Sequence, residues 1–258
     1  MMKKINLNAD MGESFGTYSL GNDAAMLDVV KSANIACGYH AGDPLVMSET
    51  TRLAAEKGVS IGAHPSFPDL QGFGRRKMSI PLNELEAMVV YQIGALMSIA
   101  SSRGTSVTHV KPHGALNNMA CVDIDMALAI ASAVKSVSPN LILLAPACSK
   151  LFQAGVELGL VTAAEIFADR TYDENANLTP RSEPGAVIHD PEQSADQVLS
   201  FIEAGKIITQ SGVGIETPIH SICVHGDSAG ALAIAVRVTE RLKQAGYDLV
   251  PIPDLFEG

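Results

Sequence analysis

Val107-Thr108-His109-Val110-Lys111-Pro112-His113-Gly114 is a short β-branched run that stops abruptly in charged and turn-forming residues. Val107–Lys111 predicts a β-strand. Pro112 cannot donate to a sheet ladder, so the strand ends there, and Gly114 permits a tight turn. Alternation sets two readings of His109. Either it shares one face with Lys111 and His113, or it is an ordinary core histidine.

The same layout recurs on both sides of this segment. Upstream, strands are predicted over Lys3–Asn8, 33–37 and 59–64. Downstream they are predicted over 141–145, 164–168 and 221–224. Helices fall between them: Asn22 to about Lys31, Asp43-Pro44 to Gly58, and about Asn83 to Arg103. Further helices are expected near Ile124–Val137, 149–158, Pro191–Ala204 and 228–244. Asp43-Pro44 supplies an N-cap followed by proline at the first helical position, and Gly58 closes that helix. Strands alternating with helices predict an α/β protein with parallel strands and right-handed crossovers. About seven such units fit either a (β/α) barrel-like fold or an open doubly wound sheet, and periodicity alone leaves both open. Three longer segments interrupt the rhythm: 65–81, 169–190 and 205–218, the last holding a candidate hairpin at Lys206 and Gly214. No composition shift marks a boundary, so 1–258 is expected to form one barrel-like catalytic domain.

Composition narrows the function. The formal charge is −10, from 28 acidic and 18 basic residues, and no long Lys/Arg run appears; a nucleic-acid partner is therefore not expected. Hydrophobic residues make up 47% but aromatics only 5%, which predicts a core of Ala, Ile, Leu, Val and Met. The longest apolar stretch, Met88 to Ala100, is too short to span a bilayer and reads as a buried helix face. The N-terminal stretch turns polar at once and shows no signal-peptide pattern. Cys37, Cys121, Cys148 and Cys223 form no Cys-x-x-Cys pair, which fits reduced thiols in the cytoplasm.

Chemistry gathers where strands end. The first is followed by Asn8-Ala-Asp10-Met-Gly-Glu13, the second by Cys37-Gly-Tyr-His40, and the third closes on His64. The fourth gives Lys111 and His113, the sixth Asp169-Arg170, and the seventh His225-Gly-Asp227. In parallel α/β folds the carboxyl ends of all strands share one face, and that face carries the active site. Asp10, Glu13, His40, His64, Lys111, His113 and His225 are therefore candidate catalytic residues. Asn8, Arg75, Asp169, Arg170 and Asp227 are candidates for binding substrate. Asp10 and Glu13 suit paired acid/base or metal work, whereas a bland reading makes them loop caps. Lys111, among apolar residues, is either a proton-transfer group with a lowered pKa or a charge that anchors a carboxylate. Arg75 or Arg76 suits a bidentate anion clamp. His189 and His220 read as structural or solvent-facing, and Cys37 and Cys223 as packing residues. A divalent metal held by His and Asp from separate strands stays open. There is no phosphate loop, dinucleotide glycine fingerprint, His-Glu-x-x-His or nucleophile elbow.

The blocks Leu7–Gly16, Asn34–Asp43, Gly62–Ser66, Gly72–Arg76, Val110–Leu116, Phe167–Arg170 and Val224–Asp227 resemble, in order along the chain, the LamB/YcsF family. That resemblance implies the A component of a three-part 5-oxoprolinase that works with subunits B and C. The implied reaction converts 5-oxoproline, ATP and water to glutamate, ADP and phosphate, with ATP as cosubstrate. It further implies a barrel related to the glycoside hydrolase/deacetylase superfamily, which favours the barrel over the open sheet. Association with further copies of this chain stays open. Two other functions fit the same pocket: a stand-alone metal-dependent deacetylase or amidohydrolase, and a non-catalytic carbohydrate or lactam carrier.

Overall fold

A computed structural model describes residues 3–225 and 230–257. Its strands are β1 (Lys3–Met11), β2 (Ser32–Ala36), β3 (Ser60–His64), β4 (Val107–Val110), β5 (Ile142–Pro146), β6 (Thr162–Phe167), β7 (Lys206–Ile208), β8 (Gly214–Glu216), β9 (Ser221–Val224) and β10 (Tyr247–Leu249). The helices are α1 (Asp23–Met26), α2 (Pro44–Glu56), α3 (Leu82–Ser102), α4 (Gly114–Ala120), α5 (Ile124–Val137), α6 (Lys150–Glu157), α7 (Pro191–Ala204) and α8 (Ala231–Gln244).

Seven strands run β1-β2-β3-β4-β5-β6-β9, all parallel, and β9 pairs back onto β1. That last pairing, Asn6↔Ser221 to Ala9↔Val224, closes the sheet into a barrel and settles the choice that periodicity left open. β10 lies beside the first residues of β1, outside the closed ring. The candidate hairpin is present as the antiparallel pair β7–β8.

Alternation along the strands divides the core in two. On β1, Ile5, Leu7, Ala9 and Met11 belong to the large apolar layer shared with the helices. Asn6, Asn8 and Asp10 point the other way, into the barrel, where they bond to side chains of other strands. α3 and α5 supply Val89, Ile93, Leu96, Ile130 and Val134 to the apolar layer, all fully buried. α3 is long and apolar enough to cross a membrane by length and composition alone, but its Leu85, Val89, Ile93 and Leu96 are buried within the protein. A small cluster of Ile142, Leu144, Ala163 and Ile252 fills another part of the core.

Several boundaries differ from expectation. β1 runs three residues past Asn8, which places Asp10 inside the strand rather than after it. The helix expected from Asn22 to Lys31 stops at Met26, because the Lys31 amide donates to Leu7 O and draws the chain into the sheet. α4 and β10 were not anticipated. The described part of the last helix begins at Ala231, and its expected start at Ser228 lies outside the described residues.

Candidate active site

The carboxyl ends of the barrel strands surround a cavity of about 370 Å³. Asp10, His64, Lys111, His113, Phe167 and His225 reach it from the barrel. Arg75 arrives on the 65–81 segment, and Arg170 and Arg181 on the 169–190 segment. The two long segments thus carry most of the positive charge, while the strands carry the titratable pairs.

Lys111 is the hub. Its ammonium lies 3.0 Å from Asp10 Oδ1, 3.0 Å from Glu165 Oε1, 3.0 Å from Cys223 Sγ and 3.3 Å from Asn8 Oδ1. Burial by itself lowers its pKa, but Asp10, Cys223 and Glu165 outweigh burial and hold it well above the ordinary lysine value. Of the two readings of this lysine, the geometry favours the fixed charge. Burial likewise pushes Asp10 up, yet His64 and Lys111 together pull it well below the usual carboxylate range. Glu165 goes the other way: burial raises it, and Lys111 only partly opposes this.

Beneath this ion pair lies a closed set of amides. Asn34 Nδ2 donates to Asp10 Oδ1 at 2.9 Å and to Asn8 Oδ1 at 2.7 Å. Asn8 Nδ2 donates to Glu165 Oε1 and Ser221 Oγ, each at 2.8 Å. His109 Nε2 donates to Asn34 Oδ1 at 3.0 Å. Burial and the Lys111 charge depress His109 to about 3, so its imidazole is neutral. His109 thus shares the inward face with Lys111, meeting Asn34 where Lys111 meets Asn8 and Asp10. Gly62 explains where it fits: a Cβ on Gly62 would collide with the imidazole ring.

Four residues form the rear wall. His40 Nε2 is 3.0 Å from Glu13 Oε1, and the His40 and His113 rings stack at 3.7 Å. His113 Nδ1 faces His64 Nε2 at 3.0 Å. Phe73 stands edge-on to both stacked rings. Gly74 (φ +63°) lets the chain press close, since a Cβ there would meet Ser66, His113 and His40. His40 and Glu13 also line a second cavity of about 340 Å³ with Phe15, Tyr18, Leu70 and Phe73.

Opposite that wall, His225 Nδ1 bonds both oxygens of Asp169, at 2.9 and 2.8 Å, and stacks on Phe167. A carboxylate can only accept, so Nδ1 carries the proton and Nε2 is the other nitrogen available to chemistry. Burial raises Asp169, but His225 more than compensates and its pKa is lowered.

The structure therefore brings Asp10, Glu13, His40, His64, Lys111, His113 and His225 into one region. Asn8 is wholly buried beneath Asp10, and Asp169 is engaged with His225. Arg170 lines the cavity while donating to the Ala186 and Thr179 carbonyls. Arg75 lines it too, its guanidinium 4.9 Å from the Phe73 ring centre, whereas Arg76 pairs with the buried Asp69. Asp227 lies outside the described residues. His220 is structural, accepting the Ala164 amide, and His189 is exposed. Glu165, Asn34 and Arg181 are additional site residues. A charged Glu165 within the apolar run 162–167 was the available signal, because such a charge is seldom buried without a partner.

A closed parallel barrel with acid, base and cationic groups at its carboxyl end defines an α/β-barrel enzyme scaffold. The LamB/YcsF family model matches residues 5–257, and the chain belongs to that family. A relative from Azoarcus sp. (strain BH72), named as the A component of 5-oxoprolinase, is 55% identical over 256 residues, covering 99% of this chain and 100% of that one. The crystal structure of a lactam utilization protein from Thermus thermophilus is 42% identical, with a TM-score of 0.90 over 96% of this chain and 99% of that one. The catalytic domain of a peptidoglycan N-acetylglucosamine deacetylase from Eubacterium rectale shares the fold at 13% identity, with a TM-score of 0.51 over 97% of this chain and 89% of that one.

Proposed function

We propose that this chain is the A component of an ATP-dependent 5-oxoprolinase, opening the 5-oxoproline lactam to glutamate. The observation that carries this reading is the Asp10–Lys111 pair at the floor of a cavity rimmed by Arg75, Arg170 and Arg181. A five-membered lactam is a resonance-stabilised amide, and phosphorylation of its carbonyl oxygen would make the ring carbon electrophilic. Both the substrate carboxylate and a phosphorylated intermediate are anions, and three guanidiniums and an ammonium suit them. Asp10, ionised and directed at the cavity, takes a proton from the attacking water. The C–O bond forms and the C–N bond breaks, with the proton taken up by Asp10 passed through Nε2 of His225, which Asp169 orients, to the departing ring nitrogen. A second water then cleaves the resulting acyl phosphate to release phosphate and glutamate. Glu13 and the rear-wall histidines fix the outline of the pocket. Asn8 is a positioning residue that holds Asp10, Lys111 and Glu165 in register.

ATP is the cosubstrate of the assembled enzyme, and the lack of a phosphate loop supports its being bound with help from partner subunits B and C. The chain acts as one catalytic domain in the cytoplasm; its four cysteines are free. The test is glutamate formation from 5-oxoproline and ATP, with this chain alone and with B and C. Turnover only in the full mixture is the expected result. No turnover in either case, with all three proteins folded, would overturn the assignment. ATP-independent hydrolysis of an acetylated sugar would favour the stand-alone hydrolase instead.

A further inference from the structure

The rear wall brings two imidazole nitrogens and two carboxylates together out of water. His64 Nδ1 lies 2.6 Å from the Lys111 carbonyl oxygen, and His113 Nε2 lies 2.9 Å from that of Phe73. Carbonyl oxygens only accept, so both of these nitrogens carry a proton. The remaining nitrogens, His64 Nε2 and His113 Nδ1, face each other at 3.0 Å, and with one proton on each ring both offer lone pairs. Glu13 Oε1 stands 3.8 Å from His113 Nδ1, and Asp10 Oδ2 stands 3.4 Å from His64 Nε2. Two lone pairs and two carboxylate oxygens converge on a small, buried volume. Such a set of donors calls for a cation.

We propose that Glu13, His40, His64 and His113 form a binding site for one divalent transition-metal ion such as Zn²⁺, Co²⁺ or Mn²⁺. Each residue offers a ligand atom, and these atoms lie within 4.8 Å of one another. Imidazole and carboxylate donors suit these ions. His64 and His113 are the anchors, because a backbone carbonyl fixes the far N–H of each ring, the arrangement that typically orients metal-binding histidines. Glu13 contributes negative charge. His40, whose Nδ1 is buried with no hydrogen-bond partner, either ligates directly or steadies Glu13. When bound, the ion would supply Lewis-acid character at the cavity wall, while Asp10 and His225 keep the roles given above. That use in turnover rests on the function proposed above; ion binding does not.

The rival account is a single proton shared between the two nitrogens. Full-length protein purified without chelator is assayed by elemental analysis, then stripped with EDTA and titrated with Zn²⁺, Co²⁺ and Mn²⁺ separately. The expected result is about one ion per chain for at least one metal. Thermal unfolding should rise by roughly 5–10 °C at an ion concentration a hundredfold above Kd. His64→Gln and His113→Gln should each weaken binding at least tenfold, whereas His220→Gln, outside the cluster, should not. Should either histidine variant fail to fold, Glu13→Gln serves in its place. No stoichiometric ion and no thermal shift with any of the three metals would overturn the site, as would unchanged affinity in the folded variants. Because none of these readouts uses glutamate formation, loss of the oxoprolinase assignment would leave the metal result standing, and the converse holds equally.

Discussion

The two faces of the same seven strands are built by opposite rules. Toward the helices, β1 presents Ile5, Leu7, Ala9 and Met11 to an apolar layer held by burial. Toward the barrel axis it presents Asn6, Asn8 and Asp10, each engaged by neighbours from other strands. The outer face tolerates exchange among apolar shapes, since burial is non-directional. The inner face has little such freedom: its donors and acceptors match pairwise, and a lost partner strands a buried polar atom. Stability is spread over the outer face, while chemistry is concentrated on the inner one.

Four experiments press on this contrast. Asp10→Asn is nearly isosteric and leaves Lys111 its bond to Glu165, so the fold should persist. Steady-state turnover of the reconstituted enzyme should fall about 10²–10⁴-fold; near-normal turnover would remove Asp10 from the mechanism. Lys111→Met leaves Asp10 and Glu165 as uncompensated buried carboxyls, and urea unfolding should show a loss of about 3–5 kcal/mol together with loss of activity. If that variant is as stable as the parent, the inner face is not the polar framework described here.

Leu96→Ala, on the outer face, should cost about 2–5 kcal/mol by the same unfolding assay. Its kcat per folded molecule should stay within about twofold of wild type, and a larger drop would mean the two faces are not separable. The smallest effect concerns pH. His109 is neutral in the fold, with a pKa lowered to about 3 by burial and Lys111, against an ordinary value of 6.5. The unfolded chain therefore binds a proton between those values that the native state refuses. The stability contributed by this group is complete above pH 6.5 and declines as pH falls toward 3, by about 1.4 kcal/mol per unit at most. Unfolding free energies measured from about pH 7 to 4 should show that slope, and His109→Gln should flatten it. An unchanged slope in the variant would assign it to other groups.

Much of this arrangement was legible in the chain. The strand ends were, because turn residues and titratable side chains follow apolar runs at His64, Lys111 and His225. Closure was not, since it depends on β1 meeting β9, a pairing over two hundred residues apart that no local period encodes. The first helix was over-extended because its apolar pattern continues past Met26 while a tertiary bond from Lys31 ends it. Glu165 and Asn34 were missed for a related reason: each sits in a short strand whose neighbours look like core, and only the partners across the barrel reveal its role. Tautomers at His64 and His113 likewise depend on carbonyls brought in by folding.

Gly62 and His109 fit as key and keyhole, and this has an evolutionary consequence. A methyl group at position 62 would occupy the space of the imidazole, so position 62 cannot gain a side chain while His109 stays. Descendants that gain a side chain at 62 should carry a smaller residue at 109, and Gly62→Ala should be rescued by His109→Ser but not by changes elsewhere on the strand.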